Sequence, residues 1–108
     1  MMLISDYDVE ATLQFAIRYT ASRLGATETE WKTVHELREE IGQLDPEIGR
    51  LLSEYIDAYL NWYRWHKEID RTGKQGALTA DEQRELVDLT AARDRTRSVI
   101  ANRIRELP

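Results

Sequence analysis

Two histidine–carboxylate pairs, His66 with Asp70 and His35 with Glu39, have the i, i+4 spacing that brings side chains together on one helix face. Such a pair can share a metal ion or pass a proton, and it can equally be a simple hydrogen-bonded pair. A four-helix carboxylate metal centre requires Glu-x-x-His on two helices, and here Lys32 and Tyr63 stand three residues before the histidines. The chain has no cysteine, which excludes disulfides, thiolate nucleophiles and cysteine-ligated metals. No Gly-x-Ser-x-Gly elbow and no His-Glu-x-x-His appears. These residues predict no catalytic centre, no metal and no cofactor.

The most unusual composition is the run Tyr55, Tyr59, Trp62, Tyr63, Trp65 and His66, joined by Phe15 and Tyr19 one turn apart near the amino terminus. Aromatic rings with a hydroxyl or N–H bury large areas yet still need polar partners, which suits interfaces and ligand pockets. Phe15, Tyr19, Tyr59, Trp62, Trp65 and His66 are therefore the expected partner-binding residues, with Trp65 the most outward. A small ligand held against His66 is a lesser use of the same face. Glu36, Glu39, Glu40 and Glu47 suggest a different function, in which carboxylates mimic phosphates to occupy a nucleic-acid-binding groove, as in acidic decoy inhibitors carried by phages or mobile elements.

The elements that must position these groups read as helices. Asp45-Pro46-Glu47 combines a capping carboxylate, a proline whose missing amide costs nothing at the first turn, and an acid at the positive end of the dipole. The helix it opens runs to Thr72-Gly73 and is roughly 40 Å long. From Ile48 to Ile69 its apolar residues cover over half the circumference, more than one partner helix can shelter. Ser5-Asp6-Tyr7-Asp8 opens a first helix at about 6–24, whose stripe is Val9, Leu13, Ala16, Ile17, Thr20 and Leu24. Phe15 and Tyr19 lie off that stripe and need a second surface. Thr27-Glu28-Thr29-Glu30 has the form of a capping box and predicts a helix at about 28–43, with Trp31 at its edge. After a glycine-containing loop, Thr79-Ala80-Asp81-Glu82 opens the last helix, 79–106. Arg93 and Thr96 interrupt its apolar stripe, so Arg93 must find a carboxylate or the stripe must leave the core there.

Leu37-Arg38-Glu39-Glu40-Ile41, followed by Leu44-Asp45, Ile48, Leu51-Leu52 and Glu54, resembles the opening helix of the all-helical chorismate mutases. Asp81, Arg84 and Glu85 resemble the Asp-x-x-Arg-Glu cluster of that family's second helix. The resemblance covers less than half the chain and implies a helical enzyme with Arg38, Asp81, Arg84 and Glu85 at active-site positions. Tyr55 and His66 stand where the family uses cationic groups, and Pro46 interrupts what the family builds as one helix.

Only two prolines and five glycines punctuate 108 residues dominated by helix-forming types, so the expected fold is all-α: one four-helix up-and-down bundle over residues 1–108, with the long third helix central. From Met1 to Leu60 twelve acids face five bases, and from Asn61 onward eight acids face ten bases. The net charge of −5 argues against direct nucleic-acid binding or attraction to anionic membrane. No apolar run reaches the roughly 18 residues of a membrane span, and Met1-Met2-Leu3-Ile4 leads into acids rather than a signal core. The sequence thus predicts a cytoplasmic, non-catalytic interaction protein, an adaptor, inhibitor or accessory factor, that forms a homodimer through surplus aromatic surface.

Overall fold

The structure, a computed structural model, describes residues 5–26, 29, 31–73 and 76–107. Among these it is all-helical, with α1 at Asp6–Arg23, α2 at Val34–Leu44, α3 at Pro46–Thr72 and α4 at Ala80–Arg105. None of these helices is long and apolar enough to cross a membrane.

Local chemistry explains most of the boundaries. The Ser5 hydroxyl accepts from the Asp8 amide to start α1. Asp45 accepts from the amides of Glu47 and Ile48, with Pro46 in the first turn of α3. At the far end Gly73 takes φ 71°, the left-handed cap conformation that favours glycine. Thr79 and Glu82 form a reciprocal capping box at α4, each side chain accepting from the other's backbone amide.

The second helix differs from expectation. It starts at Val34 rather than near residue 28, because Thr33 caps it by accepting from the Glu36 amide at 3.2 Å. Thr33-Val34-His35-Glu36 is a later Thr-x-x-Glu frame, and it supplies the helix start. Thr27, Glu28 and Glu30 of the expected box lie outside the described residues. Trp31 falls in a turn before the helix and is 84% exposed.

Helix α3 packs against each of the other three. The start of α1 lies against the late turns of α3, where the Tyr63 hydroxyl and Lys67 both donate to Asp6. The end of α4 returns to the start of α3, where Arg103 reaches Asp45 at 3.6 Å and Glu47 at 3.5 Å. Both neighbours therefore run opposite to α3. Around its first half, Ile48, Leu51, Leu52, Tyr55 and Ile56 pack with Ile17, Ala21, Leu37, Ile41, Ile100 and Ile104. Around its second half Trp62 and Tyr63 pack with Val9, Leu13, Leu86 and Leu89. Only Asp45 separates α2 from α3, and the two helices pass so closely that a Cβ on Gly49 would sit 2.9 Å from the Gly42 Cα.

Candidate functional site

A groove between α1 and α4

Helices α1 and α4 lie on the same side of α3 and leave a half-open groove of about 480 Å³ between them. Leu52, Tyr55 and Tyr59 of α3 form its floor, Phe15 and Tyr19 stand on one wall, and Arg93 and Arg97 stand on the other. The two wall residues of α1 are one turn apart, so their rings stack at 6.0 Å with planes 11° apart. They remain 72% and 49% exposed, so two adjacent rings on one helix face are left uncovered. Tyr55 and Tyr59 meet edge-on at 6.0 Å, and Tyr59 leans on Trp62 at 5.6 Å.

The opposite wall is cationic. Arg97 makes no ion pair among the described residues, and its charge acts on the buried Tyr55 hydroxyl. Burial pushes that hydroxyl above its ordinary range, and Arg97, then Arg93, pull it partly back. An anionic or hydrogen-bond-accepting group entering the groove would therefore meet a guanidinium beside phenolic hydroxyls, above an apolar floor. No group of three or more potential metal ligands is assembled among the described residues.

The expected partner-binding residues separate into two sets. Phe15, Tyr19 and Tyr59 line the groove. Trp62 is 7% exposed and sits beneath it, with the Arg93 guanidinium 4.3 Å above its ring. Trp65 is half-buried and meets the edge of His66 at 5.1 Å. The question posed by Arg93 has a double answer: it stacks on Trp62 and also bonds Asp94 at 3.0 Å. The hydroxyl of Thr96 bonds back to the Ala92 and Arg93 carbonyls, so it enters the stripe without an unsatisfied group. Arg97 is not among the residues expected from the sequence. The i, i+4 spacing of Arg93 and Arg97 was the available signal.

Two of the four acidic residues, Glu40 and Glu47, have a cationic partner. Glu40 pairs with Lys32 at 2.5 Å, Glu39 with His35 at 3.2 Å, and Glu47 with Arg103 at 3.5 Å. Glu36 accepts from the Thr33 hydroxyl, as part of the cap. Arg38 lines a separate groove between α1, α2 and α3, of about 380 Å³, which exists because α2 is too short to cover the length of α3. Asp81, Arg84 and Glu85 are exposed at the start of α4, where Arg84 reaches Asp81 at 3.6 Å.

His66 lies between Trp62 and Trp65, with ring centres 4.6 and 5.1 Å away. Burial lowers the imidazole below its ordinary value of 6.5; Asp70 opposes this and Arg93 reinforces it. Between the lowered folded value and 6.5 the unfolded chain binds more protons, so stability is lost as pH falls through that window and changes no further below it on this group's account. Urea midpoints compared between about pH 7.5 and 5.5 should therefore decline less in His66→Asn than in the parent. Equal declines would remove the assigned role of His66.

No family model matches the chain, and comparison with curated proteins and with solved structures returned no match.

Proposed function

We propose that this protein is a non-catalytic interaction module, an adaptor, inhibitor or accessory factor, that docks a helical element of a protein partner in the groove between α1 and α4. The observation that carries the reading is the exposed Phe15–Tyr19 stack facing Arg97, which has no ion pair among the described residues, across an aromatic floor. Two packed rings present a large, rigid apolar surface at little entropic cost, and such anchors dominate binding energy at protein interfaces. A half-open groove lined by three helices suits an amphipathic helix, whose apolar residues would fill the floor while an acidic or acceptor group meets Arg97. The cationic partners of Glu40 and Glu47 make the decoy reading weaker, because a phosphate mimic needs uncompensated charge.

A photo-reactive residue in place of Tyr19, in the full chain in its native cell, tests this directly. Adducts should form there and fall by about tenfold or more when Phe15→Asp is added, since loss of a central anchor commonly removes at least that much affinity. The same probe at Val87, which is 65% exposed on α4, is the control. Equal adduct patterns at Tyr19 and Val87, insensitive to Phe15→Asp, would refute the docking surface.

A further inference from the structure

We infer that the groove's occupant is α1 of a second copy of this chain, laid antiparallel across the first about a twofold axis near Phe15. The inference rests on the docking reading above and names its partner. It comes from the pattern of one helix face. Asp8, Thr12, Phe15, Tyr19 and Arg23 follow one another at spacings of three and four residues, so they form a single row along α1, and all five are exposed. The row begins with a carboxylate and ends with a guanidinium, and neither makes an ion pair among the described residues. Phe15 stands near the middle, seven residues after Asp8 and eight before Arg23. At about 1.5 Å of rise per residue, the two charges lie roughly 11 and 12 Å on either side of it.

That symmetry decides the orientation. In a twofold antiparallel pairing each patch faces its own reverse, so Asp8 of one copy lies beside Arg23 of the other, Thr12 beside Tyr19, and Phe15 beside Ala16. Two ion pairs then close the ends of an aromatic centre, and the helix dipoles oppose each other favourably. A parallel pairing would set Asp8 against Asp8 and Arg23 against Arg23, and the like charges would oppose it. The second copy's Phe15 would also come down between α1 and α4 near Arg97, where a ring can take the guanidinium on its face.

The chain's lack of cysteine permits a clean test of register. Full-length Asp8→Cys and Arg23→Cys proteins, mixed and oxidised, should give predominantly the mixed disulfide. Each variant alone should give little, because the equivalent positions in an antiparallel pair lie roughly 20 Å apart. Sedimentation equilibrium supplies the second readout. Asp8→Arg and Arg23→Asp should each weaken association by about tenfold, and combining them should restore it to near the parent value. Circular dichroism of every variant reports whether the helices are retained. Homodisulfides at position 8 would establish a parallel or unrelated contact and overturn the inference. So would a parent that stays monomeric at about 1 mM, or a double variant no tighter than the singles. Those results leave the Tyr19 adducts as a separate measurement: adducts with another protein, from a strictly monomeric chain, would sustain the groove and reject the second copy.

Discussion

Ile48→Ala is expected to cost about 3 kcal/mol of stability, within the range typical of a fully buried aliphatic side chain cut to its β-carbon. Ile48 has 0% exposure and lies in the first turn of α3, in the cluster to which all four helices contribute. A cavity there has little freedom to collapse. The backbones of α2 and α3 are already in close approach at Gly42 and Gly49, and the ion pairs of Arg103 hold α4 to the same end of α3. Urea unfolding of parent and variant gives the difference, with Val99→Ala as the control, since Val99 is 44% exposed and should change by no more than about 0.5 kcal/mol. A loss for Ile48→Ala below about 1 kcal/mol would show that this end of the molecule is loosely packed.

The second large effect is a difference in sign between two glycines seven residues apart. A methyl group at Gly49 would meet the Gly42 Cα at 2.9 Å and its nitrogen at 3.4 Å, and these are backbone atoms that cannot rotate aside. Gly49→Ala should therefore destabilise by about 1–2 kcal/mol, as overpacking outweighs the gain of about 1 kcal/mol in helix propensity. At Gly42 the added methyl meets nothing within 4 Å, so Gly42→Ala should stabilise by up to about 1 kcal/mol. Thermal or urea melts of the two variants decide it. Stabilisation by both would mean that α2 and α3 do not cross so closely. The crossing matters beyond stability, because α2 turns back after Asp45 alone and buries Leu37 and Ile41. The aromatic groove lies on the other side of α3, between α1 and α4.

The site has a mechanical logic that follows from these contacts. Buried Trp62 supports Tyr59 from below and receives Arg93 from above, so the floor and Arg93 are fixed by packing, while Arg97 beside it is exposed. Phe15 and Tyr19 are held only by α1, which is tied to α3 by Ile17 and Ala21 and by the Asp6 bonds to Tyr63 and Lys67. A rigid floor with protruding aromatic anchors is already arranged for docking, which reduces the ordering cost on association.

Sequence alone determined the elements whose signals are local. Asp45-Pro46, Thr79 with Glu82, Ser5 and Gly73 each act within one turn, on amides and carbonyls that any helix end leaves unpaired, and three of the four helices start where those residues stand. The breadth of apolar surface on α3 was legible for the same reason, because the helical repeat alone sets which residues share a face. Tertiary structure decided the rest. Two Thr-x-x-Glu frames precede the helix body, and α2 begins at the one capped by Thr33. Trp62 and Phe15 were both expected to meet a partner, yet the first is enclosed and the second bare. Enclosure depends on where α4 lies across α3, and Arg93 over Trp62 marks that position. The groove itself has no signature in any one segment, since its floor, aromatic wall and cationic wall come from three different helices. Propensity and capping act over about one turn, whereas burial is set by elements distant in the chain, and only their packing turns a list of aromatic residues into a surface.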